Sequence, residues 1–322
     1  MAHLRSSKDL AHNFVIDLSV ILPTHNPHAG RLQRTLEGLK QQSLPSQKWE
    51  TVIVDNASSS PLKVTDFADS APQNLKIVLE STLGLTAARR CGILETAAPI
   101  IVFVDDDNIL APDYLENVLH HFVENPKIGA IGGRSLPEFE KEPEPWIREF
   151  DGLLALRDPG DTAQFSGPLR DQKTEKIAYP FCAPVGAGMA LRREGLSKWL
   201  ETFDTNKFSD RKGDKLTSSG DNDLILHLMQ SGWEVAYFPD LGLTHLIPAG
   251  RTTLDYLSRL NEGIQESWMR LLTRHQMNPW PPISRWSMPL RKMKSWFTFR
   301  AWESPAAYVR WRGTCGHFTG RV

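Results

Sequence analysis

Cysteine is scarce. The 322 residues contain only Cys91, Cys182 and Cys315, with no CxxC spacing, which excludes a disulfide framework and a thiolate zinc site and points to a reducing compartment. Long apolar runs are missing: no stretch approaches about 18 uninterrupted apolar residues, and Met1 to Asn13 is polar, without the apolar core of a signal peptide. The expected location is the cytoplasm. No charge sign dominates either, since 37 Lys+Arg face 38 Asp+Glu for a formal charge of −1. Global charge therefore names no partner, and the balance of 40% hydrophobic and 23% charged residues is that of a globular protein with a real core.

Charge by region says more. Residues 280–322 carry eight Lys+Arg and one Glu, while residues 1–279 carry 29 Lys+Arg and 37 Asp+Glu. The end of the chain is basic and the body acidic.

The first half alternates strand and helix patterns. Asp17 to Pro23, Thr51 to Asp55, Leu75 to Leu79 and Ile100 to Asp105 are short, β-branched runs. Between them, Leu32, Leu36 and Leu39 recur at helical spacing, Leu85, Ala88, Gly92 and Leu94 suggest a second helix, and Leu115, Val118, Leu119 and Phe122 mark a third. Apolar strands separated by helices predict an α/β fold with a mostly parallel central sheet, covered on both faces. Further on, Pro137 to Pro180 reads as a long irregular excursion, Gly186 to Arg192 as a glycine-rich strand, Asp204 to Ser219 as a polar loop, Asn222 to Ser231 as a helix, Glu234 to Phe238 as a strand and Tyr256 to His275 as a long amphipathic helix.

In such sheets the ligand crevice opens outside the carboxyl ends of the strands. The residues delivered there are Thr24, His25 and Asn26, then Asp55, Asn56 and Ser58, then Asp105, Asp106, Asp107 and Asn108. A lone acidic turn usually caps the next helix. Three adjacent carboxylates, however, repel by about 4 kcal/mol per pair at about 4 Å in an effective dielectric of about 20, and a hard divalent cation is the natural compensation. Asp105 and Asp107, two apart, are placed to face one such ion and the phosphates it carries.

Other residues are ambiguous on spacing alone. Asp55 reads equally as a turn residue or a ligand contact. Asp221 and Asp223, in Ser219 to Asp223 (SGDND), read as helix-entry acids or as a base for an incoming hydroxyl. His245 reads as a core histidine or a metal ligand, and Arg251 as a loop arginine or a diphosphate contact. Arg89 and Arg90, in Gly84 to Gly92, read as a solvated helix face, or either pairs with an acid or phosphate in the crevice.

Taken in order, SVILPTHN (19–26), VIVDNAS (52–58), GLTAARRCG (84–92), FVDDDN (103–108), the glycine-rich 186–192 and the acidic 219–224 resemble the family 2 glycosyltransferases of the GT-A fold. The resemblance implies a transferase domain over residues 17–275, preceded by a tail (1–16) and followed by a basic, Trp-rich helical extension (276–322). It implies metal-dependent inverting transfer of a sugar from a nucleotide-diphosphate donor to an acceptor hydroxyl, in polysaccharide or glycolipid synthesis. Under that reading Pro23, Thr24 and Asn26 lie near the nucleotide base, Asp55 holds base or ribose, and Arg89 matches the arginine of the helix motif. Asp105, Asp106 and Asp107 form the D-x-D region, with Asp107 and His245 on a Mn²⁺ or Mg²⁺ ion. Asp221 matches the catalytic base when the motif is aligned on Leu224, and Asp223 is the alternative because Gly220 stands where an acid is common. The loop 204–219 is expected to act as a lid, and 137–180 to help define the acceptor.

Two other readings compete. VFVDDDNI (102–109) also resembles the first motif of haloacid-dehalogenase-like phosphohydrolases, which place it on their first strand, whereas three strand-like runs precede it here. A non-catalytic scaffold of the same fold is the second. The extension holds five of the ten tryptophans among its cations, which suits the headgroup region of an anionic membrane on the cytoplasmic face, or equally a tail packed on the acidic body or a subunit contact. No recognised module supports nucleic-acid binding.

Overall fold

The computed structural model describes residues 16–167, 179–202, 216–217 and 219–322. The expected lid falls outside them, save for 216, 217 and 219, as does the amino-terminal tail up to residue 15. The chain runs β1 (Leu18–Thr24), α1 (Ala29–Lys40), β2 (Trp49–Asp55), β3 (Leu75–Leu79), α2 (Leu85–Leu94), β4 (Ile100–Phe103), β5 (Asn108–Leu110), α3 (Tyr114–Glu124), β6 (Ile128–Phe139), β7 (Gln164–Ser166), β8 (Ala190–Arg192), α4 (Ser197–Thr202), α5 (Gly220–Gln230), β9 (Glu234–Ile247), α6 (Leu254–Arg274), α7 (Met288–Thr298) and α8 (Pro305–Thr319).

The strands form one sheet in the order β3-β2-β1-β4-β8-β6-β9-β5, with β7 on β9. Strands β3, β2, β1 and β4 are parallel, β6 is parallel to β9, and β8, β5 and β7 join antiparallel. Alternate side chains of β1 enter opposite faces, as a pleated strand requires. Leu18, Val20 and Leu22 pack with Leu32, Leu36 and Leu39 of α1 and Leu115 and Val118 of α3, while Ile21 packs with Ala88 and Ile93 of α2 and Leu224 and Leu228 of α5. The central strands are therefore covered on both faces.

The register sets the site. Thr24 pairs with Asp55 and Ile21 with Phe103, so three parallel strands end at one edge of the sheet. In β5, Asn108 pairs with His245 of β9, which sets Asp107 beside that histidine.

Several expectations are corrected. The excursion 137–180 contains the end of β6, a 3-10 segment at Pro145–Leu154 and the strand β7. Only Ala190–Arg192 of the glycine-rich run is strand, and β9 continues well past Phe238, through Pro239 and Gly242. The acidic stretch leads not straight into a helix but into β5.

The extension packs back through α8. Gly313, Gly316 and Gly320 face α6 so closely that a Cβ on Gly316 would sit 2.0 Å from the Glu262 carbonyl oxygen and one on Gly320 2.5 Å from that of Glu266. Arg312 pairs with Glu262 and Arg310 with Glu149. Ala306 and Val309 complete an apolar cluster with Ile147, Leu154, Leu257 and Leu260.

Candidate active site

A cleft of about 330 Å³ opens at the carboxyl ends of the strands. Pro23, Thr24, His25, Asn56, Asp105, Asp106, Asp107, His245 and Arg251 form its polar side. Leu153, Leu154, Ala155, Tyr256 and Leu260 form an apolar wall opposite, reached from the 3-10 segment and the first turns of α6.

Asp107 is its electrostatic centre. The side chain is buried, with Oδ1 3.3 Å from His245 Nε2 and Oδ2 3.0 Å from Arg251 Nη1, and the Asn108 amide donates to Oδ1 at 3.2 Å. Its backbone carbonyl accepts from Leu246 N–H at 2.8 Å, which fastens the acidic turn to β9. Asp106 accepts a hydrogen bond from the Thr24 hydroxyl. Burial first, then the charge of Asp107, pushes its carboxyl up to about 6. A carboxyl raised in this way reports desolvation first and a neighbouring like charge second.

The donor set fits a hard or borderline divalent cation. A buried carboxylate and an imidazole nitrogen face the same cleft, the buried His245 Nδ1 has no hydrogen-bond partner among the described residues, and neighbouring acids remain for phosphate-bound metal.

Asp105 joins the cleft to a second layer. Arg89 of α2 is buried, lies over the Phe103 ring at 5.0 Å and donates to Asp105 Oδ1 at 3.3 Å. Gly186 N–H donates to Asp221 Oδ2 at 3.0 Å, and a Cβ on Gly186 would lie 2.6 Å from Arg89 Nη2 and 3.0 Å from Asp221 Oδ2. Only glycine lets these three groups meet. Asp221 sits in the first turn of α5, where its Oδ1 accepts Asn222 N–H at 2.9 Å.

Asp223 occupies a different setting. It is wholly buried, 2.9 Å from His275 Nε2, 3.3 Å from His227 Nδ1 and bonded by the Trp199 indole at 3.1 Å. Burial opposes its ionisation, but hydrogen bonds from His227 and His275 hold the carboxyl down at about 2. This cluster fastens α5 to α4 and to the end of α6, away from the cleft lining.

Asp55 is buried at the end of β2 and accepts N–H bonds from Ser58 at 3.1 Å and Leu62 at 3.0 Å. Burial opposes ionisation, but the Ser58 hydroxyl and these amides outweigh it and lower its pKa. Asn26, in a left-handed conformation (φ 48°), bonds Ser58 and Ser59 and so ties the first loop to the second. Asn56 bonds the carbonyls of Glu80 and Thr82 and the Gly84 N–H, which fixes the entry to α2.

The structure thus gathers Pro23, Thr24, Asp105, Asp106, Asp107 and His245 on one cleft, with Arg251. Asp55, Asn26, Arg89 and Asp221 are not in its lining: Asp55 and Asn26 brace its loops, and Arg89 and Asp221 meet at Gly186. Sequence reasoning assigned no role to the apolar wall, because its leucines carry no chemical signature.

The sequence profile described as "Glycosyl transferase family 2" matches residues 19–200, more than half of the chain. The chain belongs to glycosyl transferase family 2. The chain is similar to a validoxylamine A glucosyltransferase of Streptomyces hygroscopicus, 28% identical over 156 residues, covering 46% of this chain and 36% of that one. It is also similar to a pre-mycofactocin glycosyltransferase of Mycobacterium tuberculosis, 25% identical over 248 residues, covering 76% and 45%. It spans less than half the length of these two curated relatives. Among solved structures, the mannosyltransferase PcManGT of Pyrobaculum calidifontis, in complex with GDP-Man and Mn²⁺, aligns with a TM-score of 0.57 at 20% identity, covering 94% of this chain and 74% of that one. TarS 1–349 of S. aureus, in complex with UDP, aligns with a TM-score of 0.52 at 14% identity, covering 95% and 90%. The fold of this chain is therefore GT-A, with a helical carboxyl-terminal region, and the phosphohydrolase reading falls away. No described helix is long and apolar enough to cross a membrane.

Proposed function

We propose that this glycosyltransferase moves a sugar from a nucleotide-diphosphate donor to an acceptor hydroxyl, with inversion at the anomeric carbon. The observation that carries this reading is Asp107 facing both His245 and Arg251 in a cleft shared with Asp105 and Asp106. The neighbour bound to GDP-Man and Mn²⁺ and the one bound to UDP support the donor class and the need for a cation. Asp107 and His245 would hold Mn²⁺ or Mg²⁺, which when bound acts as a Lewis acid toward the leaving diphosphate.

The chain supplies the rest. Arg251 brings a fixed positive charge to the phosphate side. Pro23 and Thr24 lie toward the nucleotide base, and Asn26 and Asp55 keep the loop at 58–62 folded beside it. Asp221 takes the proton of the acceptor hydroxyl on its carboxylate, oriented by Gly186 N–H. Asp223, wholly buried and hydrogen-bonded by His275 and Trp199, is unsuited to that role and acts as the anchor of α5. One direct displacement inverts the sugar, with no covalent sugar–enzyme species. The apolar wall of Leu153, Leu154, Tyr256 and Leu260 suits the apolar face of a sugar ring or the lipid portion of a glycolipid acceptor, in polysaccharide or glycolipid synthesis.

A thermal-shift panel of nucleoside diphosphates and nucleotide sugars, with and without Mn²⁺, tests this. At least one should raise the melting temperature by mass action, and only with the cation present. A panel in which no nucleotide shifts melting, or in which chelator leaves the shift intact, removes the metal–diphosphate site.

A further inference from the structure

The carboxyl-terminal extension divides into two surfaces of opposite character. Helix α8 is fastened to α6. Helix α7 touches the body chiefly through α8: Trp296 packs edge-on against Trp311 at 4.7 Å, the Trp311 indole donates to the Lys292 carbonyl at 3.1 Å, and Ser295 is buried. Among the described residues the opposite side of α7 stays exposed, apart from the edge-on contact of Phe297 with Trp302 at 5.7 Å. Trp286 (92% exposed), Leu290 (66%), Met293 (56%) and Phe297 (61%) recur at intervals of four, three and four residues, so they share one narrow stripe of the helix and of the turn that leads into it. Trp302, 54% exposed, lies beyond Phe299, Arg300 and Ala301 in the turn that follows the helix.

The charge around the stripe has one sign. Residues 280–302 contain Arg285, Arg291, Lys292, Lys294 and Arg300 and no Asp or Glu. Arg285, Arg291 and Lys294 are exposed and form no ion pair with a described carboxylate. We propose that this face of α7 docks on an anionic lipid bilayer, lying in the plane of the headgroups with the stripe inserted and the cations on the lipid phosphates.

A second copy of the chain fits less well. Two α7 faces related by a twofold axis would set like charges against each other. Outside the extension, the exposed Leu79, Leu94, Val123 and Phe165 belong to four different elements, β3, α2, α3 and β7. A bilayer satisfies the apolar stripe and the unpaired cations together. The proposal stands independently of the reaction assigned to the cleft.

The test is flotation of the full chain with phosphatidylcholine vesicles, pure or containing about one third phosphatidylglycerol, at low and high salt. The expected result is a bound fraction at least about tenfold greater on the anionic vesicles, falling with salt. Arg291→Glu with Lys294→Glu should abolish the preference for anionic lipid, and Leu290→Glu with Phe297→Glu should abolish binding, both without change in circular dichroism. If the latter pair does not fold, Trp286→Ala with Phe297→Ala is read in its place. Equal binding to neutral and anionic vesicles, or wild-type binding by both pairs, overturns the proposal. So does a dimer in sedimentation velocity that the stripe variant converts to monomer, because the face then belongs to a second copy.

Discussion

Arg251 Nη1 lies 3.0 Å from Asp107 Oδ2, so the acid assigned to a divalent ion already leans on a positive charge carried by the chain. Arg251 lies within a short 3-10 turn, Ala249–Thr252, and its guanidinium is largely sheltered. With no divalent ion bound, it offsets a buried carboxylate whose neighbours are also acidic. Arg251→Ala should therefore lower stability in chelator by about 1 to 3 kcal/mol, the cost of leaving a buried group without its partner. Mn²⁺ should then raise the melting temperature of the variant more than that of the parent. Equal shifts by scanning fluorimetry would separate Arg251 from the cation site.

Asp107 and Asp221 should fail in different ways. Asp107→Ala is expected to lose Mn²⁺-dependent nucleotide stabilisation together with transfer. Asp221→Asn should retain nucleotide binding while turnover falls by about 10²- to 10⁴-fold, the usual worth of a positioned base. Calorimetry and a transfer assay on the two purified variants distinguish these outcomes, and near-parental turnover by either removes that residue from its role.

Gly186 sits where Arg89 and Asp221 converge. Gly186→Ala would drive a methyl to 2.6 Å from Arg89 Nη2 and 3.0 Å from Asp221 Oδ2. Turnover is expected to fall at least about tenfold with the melting temperature nearly unchanged, because the flexible guanidinium yields before the backbone does. Parental turnover would mean that the Arg89–Asp221 spacing does not matter to the reaction.

Asp223 should govern acid stability. Its folded pKa of about 2 lies below the unfolded value of about 3.9, so its contribution is full above about pH 4 and lost as the pH falls through about 2. Burial lowers the His227 pKa, but the hydrogen bond to Asp223 outweighs it and raises the folded value above the usual 6.5. That contribution is full below about pH 6.5 and lost as the pH rises through the raised value. Asp223→Asn should therefore cost most between about pH 4 and 6.5, on the order of 3 to 5 kcal/mol for an interior ion pair broken on one side. Urea midpoints across pH check this, and a constant difference would show that His227 does not titrate with Asp223.

Much of the amino-terminal half was legible because each strand there is a short apolar run closed by a polar residue, and the acids fall at the strand ends by rule. Strand β6 was not. It carries Gly129, Gly132, Gly133 and Pro137, which read as breakers, yet a Cβ on Gly133 would fall 1.9 Å from the Leu241 carbonyl oxygen. Close pairing with β9 demands glycine there and outweighs its poor strand propensity. The meeting of Asp107 with His245 follows from a long-range register between β5 and β9, and no local pattern encodes that pairing. Asp221 and Asp223 were indistinguishable on spacing, since only packing shows which of them is sealed between histidines.

The three glycines that let α8 press against α6 make the end of the chain part of the cleft's foundation. A protein cut at residue 279 would lose Ala306 and Val309 from behind Leu154 and Leu260, both of which line the cleft. Deletion would then damage catalysis and lipid contact in one stroke, so point changes on α7 are the cleaner scalpel.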